Sequence, residues 1–333
     1  MNKKLLTVAV TAGLAATSMS AIAADATIYG RITAEWVSVE NSSNVDDTEV
    51  NEPGNSFWGI SVKEKLSGGL TALAKIEYSV GAGDNNAETN RQQWVGLSGN
   101  FGTISLGSFN GIYKALNPDP LNASFLEARG NGGVSGSAFG HQGYIDNAIV
   151  WTSPTVSGIT ASVLMVDEQD SGAGNDWQAS VKYENGPMAF WLAHSEDVGG
   201  GAGTADASLT KIGGSMGMAG FTFYLQYEDD DGGLNMQSGV TSTVATSLTG
   251  ALDPLTNDGE ILFVGATYKM GNTTLVGQYG NSDYDVVGET DYFALAAVHN
   301  FSKTTKIYGG WRQTDNDGVN EADLFGAGIQ VNF

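Results

Sequence analysis

Residues 67–80 read Ser-Gly-Gly-Leu-Thr-Ala-Leu-Ala-Lys-Ile-Glu-Tyr-Ser-Val, a tight glycine turn followed by alternating apolar and polar side chains. One face of this segment carries Leu70, Ala72, Ala74, Ile76 and Tyr78, and the other carries Thr71, Lys75, Glu77 and Ser79. A period of two residues predicts a β-strand with one apolar and one polar face. The stretch therefore predicts a hairpin strand that separates two different environments.

The same pattern recurs along the chain, for example near residues 27–36, 176–185 and 325–333. Seven short turns each join two such strands, and long acidic connections rich in glycine and asparagine join the pairs. Together with the first and last strands, the count is sixteen. An even strand number, short periplasmic turns and long external loops are typical of outer-membrane barrels. The sequence thus predicts an all-β, transmembrane antiparallel β-barrel.

The first 24 residues predict an export signal. Lys3 and Lys4 precede a short apolar run, and the small residues Ala21 and Ala23 stand where a signal peptidase reads the chain. We expect residues 1–24 to be a signal peptide and residues 25–333 to be the barrel domain. After residue 24 no stretch approaches the roughly 20 apolar residues of a membrane helix.

Composition excludes several classes of function. The 333 residues include 37 acidic and 15 basic side chains and no cysteine. A net charge of −22 disfavours nucleic acid as a partner, because phosphate binding depends on lysine and arginine. Without cysteine there is no disulfide framework, thiolate zinc site or thiol nucleophile. The three histidines are scattered, so the sequence predicts no metal site and no cofactor.

Enzymatic motifs are weak. Gly213–Gly217 matches the letters of a hydrolase GxSxG motif but is followed by no predicted helix, so the context that this motif requires is absent. We therefore predict that the protein is not an enzyme. An outer-membrane barrel acting as an adhesin or an anchored enzyme, and a secreted acidic carbohydrate-binding β protein, remain as alternatives.

Several short motifs lie in order over the chain after the export signal. They are Thr27–Arg31, Arg91–Leu97 followed by Asn100-Phe101-Gly102, Asp146–Ile149 with Ser153-Pro154, Phe301–Tyr308 and the terminal Phe333. With these motifs the chain resembles the general trimeric porins of Gram-negative bacteria. The resemblance implies a passive, water-filled channel for ions and small hydrophilic solutes in the cell outer membrane. It also implies a homotrimer in contact with outer-membrane lipid and lipopolysaccharide, and a role for Phe333 in outer-membrane targeting.

The resemblance further implies that the third external loop, residues 114–143, folds into the pore. This loop carries an apolar cluster around Phe125 and the charged residues Asp119, Glu127 and Arg129. We expect these three to face charged residues of the barrel wall across a constriction. The wall residues expected at the constriction are Arg31, Lys75, Glu77, Lys306 and Arg312.

The wall departs from the pattern of the relatives, many of which place basic side chains opposite the loop. Arg31 keeps one such position, but Phe57, Ser108 and Tyr144 stand at three others. By the predicted boundaries, 30 of the 37 acids also lie in the eight long connections. Fixed negative charge concentrates cations near a pore. The sequence therefore predicts weak cation selectivity.

Overall fold

The computed structural model describes residues 24–41, 47–51, 56–81, 89–128, 144–166, 176–196, 208–231, 258–285, 288–316 and 320–333. The strands are β1 (Asp25–Asn41), β2 (Asp47–Asn51), β3 (Phe57–Lys65), β4 (Thr71–Ser79), β5 (Thr89–Gly99), β6 (Gly102–Asn110), β7 (Tyr144–Thr152), β8 (Ile159–Val166), β9 (Trp177–Asn185), β10 (Met188–Glu196), β11 (Ser208–Met218), β12 (Phe221–Asp231), β13 (Asp258–Met270), β14 (Thr273–Tyr284), β15 (Gly288–Asn300), β16 (Thr305–Asn316) and β17 (Asn320–Asn332). A short helix, α1 (Ile112–Ala115), follows β6.

The sheet closes on itself through β1. One edge of β1 pairs with β17, from Arg31 opposite Asn332 to Asn41 opposite Ala322. On the other edge, β3 pairs with the first half of β1 and β2 with the second half. Because β2 and β3 follow one another along the same edge, they fill one position of the barrel. The predicted closed barrel of sixteen antiparallel strand positions is confirmed.

The predicted strand faces are also confirmed. On β1, Trp36 is 53% exposed, whereas its neighbours Glu35 and Val37 are 2% and 0% exposed. Large apolar side chains such as Ile76 and Ile329 are likewise exposed on the outer surface. Hydrocarbon surrounds an outer-membrane barrel, so apolar groups belong on its outside and polar groups inside.

The tight turns have the backbone that a two-residue hairpin needs. Between β11 and β12, Ala219 and Gly220 have φ angles of 52° and 86°. Ser157 and Gly158, before β8, have φ angles of 51° and 85°. Positive φ at both central residues gives the type I′ turn, whose twist matches that of the flanking strands. These two turns predicted from the sequence are therefore present.

The predicted signal peptide lies outside the described residues except for Ala24. Its removal stays a prediction. Within the described ranges, no helix is long and apolar enough to cross a membrane.

Candidate functional site

The third long connection enters the barrel after β6. The backbone N–H of Tyr113 donates a hydrogen bond to Gln178 Oε1 on β9 at 3.2 Å. Further along, the N–H of Phe125 donates to both carboxylate oxygens of Glu35 on β1, at 2.9 and 3.1 Å. Residues 111–128 therefore follow the inner wall from β9 round to β1. The predicted inward fold of the third loop is confirmed for its residues up to 128, and residues 129–143 lie outside the described residues.

The first anchor of the loop is a buried polar network around Tyr113. Its hydroxyl donates to Glu228 Oε2 at 2.8 Å, and Lys211 Nζ lies 4.0 Å from the centre of its ring. Gln226 Nε2 donates to Glu228 Oε1 at 2.6 Å, and Trp191 Nε1 donates to Gln226 Oε1 at 2.7 Å. Buried polar groups that all have partners rigidify a structure. This network fixes the start of the loop to β10, β11 and β12.

The second anchor lies at Phe125. Glu35 accepts its N–H and also accepts a hydrogen bond from the Tyr308 hydroxyl. Arg312 donates to the Phe125 carbonyl oxygen at 3.3 Å. On β17, a Cβ at Gly326 would stand 3.0 Å from Cζ of Phe125, so glycine makes room for the ring. The apolar cluster predicted in this loop thus packs on the wall, and Arg312 holds the loop in place.

Asp119 lies between the two anchors. Oδ1 accepts hydrogen bonds from Leu121 N at 2.8 Å and from Gln278 Nε2 at 3.1 Å, and Oδ2 accepts one from Ala128 N at 2.8 Å. Burial, with the nearby charge of Glu127 as a smaller cause, raises the pKa of Asp119 to about 6. The carboxyl group thus ties the two ends of residues 119–128 together and ties them to β14.

Glu127 is enclosed in the same segment. Its Oε2 accepts a hydrogen bond from Ala123 N at 2.9 Å, across a turn in which Ala123 has a φ of 69°. From the sequence, Asp119 and Glu127 were expected to face the channel, whereas both carboxyl groups are buried in the structure. The physical reason is that backbone N–H groups of the tight loop need acceptors that the loop's own carbonyl groups do not supply. Arg129 lies outside the described residues.

Lys75 and Glu77 lie on the opposite wall. Lys75 Nζ is 2.8 Å from Glu77 Oε1, and the Tyr29 hydroxyl donates to the same oxygen at 2.8 Å. Gln92 Nε2 donates to Glu77 Oε2 at 3.1 Å, and Arg91 Nε lies 3.7 Å from that oxygen. Three donors and the nearby Arg91 guanidinium therefore surround one carboxylate, which is 3% exposed.

Arg91 is a wall residue that the sequence analysis missed. The centre of its guanidinium lies 4.7 Å from the Phe57 ring centre and 5.2 Å from that of Tyr144. The Arg31 guanidinium lies 5.4 Å from the Phe57 ring, and Lys114 Nζ lies 5.2 Å from the Tyr144 ring. From the sequence, Phe57 and Tyr144 were interpreted as positions where the basic side chain of many relatives is missing. In the structure each of these rings lies between two cations.

Two further predicted residues lie near the seam of the barrel. Lys306, on β16, has its Nζ 5.5 Å from the Tyr308 ring. Phe333 exchanges two backbone hydrogen bonds with Gly30, at 3.0 and 3.1 Å, and so extends the closing pair of strands. The targeting role of Phe333 stays a prediction. Ser108 donates from its hydroxyl to the Arg91 carbonyl oxygen at 3.4 Å and brings no charge to the wall.

Residues 8–319 match the family model described as Gram-negative porin. The chain belongs to the Gram-negative porin family. It is similar to the major outer membrane protein P.IB of Neisseria gonorrhoeae, with 32% identity over 178 residues, 50% of each chain. The P.IB protein of Neisseria meningitidis serogroup B / serotype 15 (strain H44/76) is 26% identical over 96% of this chain and 97% of that protein.

Solved structures show the same fold. An anion-selective porin from Comamonas acidovorans superposes with a TM-score of 0.71 at 19% identity, covering 93% of this chain and all of that one. Salmonella typhi OmpF superposes with a TM-score of 0.68 at 15% identity, covering 92% and 97%. This porin is therefore an outer-membrane β-barrel channel protein.

In this porin the acidic and basic side chains of the interior differ in exposure. The acids at the loop and the facing wall are all at most 7% exposed: Glu35, Glu77, Asp119, Glu127 and Glu228. The basic residues Arg31, Lys75, Arg91 and Lys114 are only half-buried. Among these residues, the basic side chains therefore have more surface in contact with the interior than the acidic side chains do.

Proposed function

We propose that this porin is a passive channel for ions and small hydrophilic solutes that performs no turnover chemistry. The observation that carries the proposal is the position of residues 111–128, which follow the inner wall from β9 to β1 and narrow the interior. Sixteen strands enclose more space than their side chains can fill, so an aqueous passage remains. A loop and a wall that are both fixed suit diffusion past a constriction rather than a chemical reaction.

We further propose that the constriction prefers anions. Arg31, Lys75 and Arg91 show charge to the interior, while Asp119 and Glu127 are buried. The weak cation selectivity expected from the sequence finds no support in this arrangement. The anion-selective neighbour from Comamonas acidovorans is too distant in sequence to carry the argument, which rests on the charges. External acids attract cations at the mouth, but salt screens exposed charges beyond about 8 Å.

A planar bilayer under a potassium chloride gradient tests both proposals. We expect single-channel steps and a reversal potential on the chloride side at low salt. Arg91→Gln should move that potential toward potassium. Lys269→Gln, which removes an exposed lysine from the far end of β13, should move it less. Absence of channel steps would refute the channel, and a potassium preference in the unmodified protein would refute the anion preference alone.

We propose that the porin works as a homotrimer surrounded by lipid and lipopolysaccharide. Support comes from the outer surface, where side chains such as Leu225, Phe190 and Leu295 are about half exposed and suit an apolar surrounding. Unheated detergent extracts should run on gels as an oligomer that heat dissociates. A monomer-sized band without heating, in several mild detergents, would contradict the trimer.

A further inference from the structure

Five side chains on the inner surface of the barrel and at the start of the third loop alternate between cation and aromatic ring. In spatial order they are Arg31, Phe57, Arg91, Tyr144 and Lys114, which together form the cation–aromatic strip. Each cation lies between 4.7 and 5.4 Å from the centre of the neighbouring ring. The strip crosses from β1 through β3, β5 and β7 to α1. The strip therefore connects the inner wall of β1 to β7 with the start of the third loop.

The barrel register supports the order of the strip. Arg31 pairs directly with Phe57 across β1 and β3, so both side chains lie on the inner face. Tyr144 pairs with Asn110 at the end of β6, four residues before Lys114. All five members of the strip are half-buried, so each shows part of its surface to the interior. A solute passing along this wall meets rings and cations in turn.

The spacing lets one anion remain near a cation throughout the strip. Two cations that share one ring are at most about 10 Å apart, which is the sum of their distances from the ring centre. This separation is close to the Debye length at physiological salt. The rings between the cations keep like charges apart, and the negative face of each ring attracts the cation over it. Phe57 and Tyr144 therefore position Arg91 as well as lining the channel.

We propose that the cation–aromatic strip binds carboxylates that carry an aromatic ring, in preference to aliphatic carboxylates of the same charge and size. This rests on the proposed channel function and adds a solute class to it. The carboxylate of such a solute pairs with guanidinium or ammonium groups. Its ring offers a π face to the same cations and packs edge to face with Phe57 and Tyr144. A saturated ring keeps the charge and the apolar area but loses these π contacts.

The test compares sodium benzoate with sodium cyclohexanecarboxylate as blockers of chloride current through the full-length porin in planar bilayers. The two anions share the charge, the ring size and the carbon count. We expect benzoate to halve the current at a concentration about two- to fivefold lower, the factor that an added ring contact supplies. Equal blocking concentrations with normal chloride current would overturn the inference and leave the channel function standing. No chloride current at all would instead refute the channel function.

Variants then locate the effect. Phe57→Leu with Tyr144→Leu should reduce the preference for benzoate, because leucine offers no ring for the edge-to-face contact while the cations remain. Tyr144→Phe, which keeps the ring, should retain the preference, and Phe293→Leu, on the outer face, should leave it unchanged. A benzoate preference that is as large in the double leucine variant as in the unmodified protein would place the site elsewhere and overturn the inference. If that variant fails to assemble, the comparison in the unmodified protein still decides.

Discussion

The two halves of the inner wall use the same residue types differently. On the half covered by the loop, Lys211 and Glu228 are almost fully buried and hold Tyr113. On the half formed by β3 to β7, Lys75 and Arg91 keep 24% and 15% of their side chains exposed. Burial makes the difference: the buried charged groups hold the loop, whereas the partly exposed ones can contact a solute. Counting charges without their exposure therefore misjudges the channel.

The largest expected effect comes from the covered half, at Glu35. Glu35→Ala removes the acceptor of the Phe125 N–H and of the Tyr308 hydroxyl, and leaves both without it. Each buried polar group left without a partner costs about 1–3 kcal/mol. We expect the loop to leave the wall and single-channel conductance to rise. Glu40→Ala, an exposed change on the same strand, is the control, and an unchanged conductance in Glu35→Ala would show that this anchor does not hold the loop.

The next effect is the pH dependence of the docked loop. Burial raises the pKa of Asp119 to about 6 from the ordinary value of 3.8 of an exposed aspartate, so docking favours the protonated form. Protonation of Asp119 therefore stabilises the docked loop fully below pH 4. This stabilisation declines as the pH rises through 6 and is absent above it, and the free energy of docking changes by about 3 kcal/mol at most. Protease resistance of the loop should follow this course.

Asp119→Asn should flatten that pH profile, because an amide does not titrate. Asp283→Asn, an exposed change on β14, should leave the profile as it is in the unmodified protein. A loop whose protease resistance rises between pH 4 and pH 7 would contradict the assignment to Asp119.

A smaller effect is expected at the first anchor. Tyr113→Phe keeps the ring beside Lys211 but removes the hydroxyl that donates to Glu228, at a cost of about 1–3 kcal/mol. We expect noisier open-channel current and a lower thermal midpoint of the barrel in detergent. Tyr279→Phe makes the same chemical change at an exposed tyrosine that donates to Asp291 and should have little effect. Equal results for the two variants would mean that the buried network does not stabilise the loop.

The smallest effect is expected at Phe57, on the half of the inner wall formed by β3 to β7. Phe57→Arg adds one positive charge where a ring now separates Arg31 from Arg91. At about 8 Å in water one unit charge changes the energy of an ion by roughly 0.5 kcal/mol, or about twofold in relative permeability. The reversal potential should move toward chloride, while Phe57→Leu, which adds no charge, should not move it that way. A shift toward potassium in Phe57→Arg would show that position 57 does not face the passage.

The strands were predictable because alternation reports directly which face a side chain takes, as Trp36 and Glu35 show. Arg91 was missed for a physical reason. The pairing of β4 with β5 shifts register between Ile76 and Tyr78, opposite the segment that holds Arg91, and a bulge interrupts the period of two. Counting alternate residues therefore gives no face for this side chain.

The burial of Asp119 and Glu127 was equally hidden from the sequence. Their partners are backbone N–H groups of the same loop, and no pattern of side chains marks such bonds in advance. Phe57 and Tyr144 were read as lost charges because an alignment compares single positions. Arg91 lies between the Phe57 and Tyr144 rings, and only the three-dimensional structure shows this.

Gly326 links the width of the channel to a strand far along the chain from the loop. A methyl group there would stand 2.5 Å from the Trp36 carbonyl oxygen and 3.0 Å from the Phe125 ring, so either the barrel seam or the loop would have to move. Adding atoms at residue 326 would therefore alter the width of the passage from the wall side, through a shift of the loop or of the seam. The bore of this barrel can thus be changed by a substitution on β17, without any change in the sequence of the loop itself.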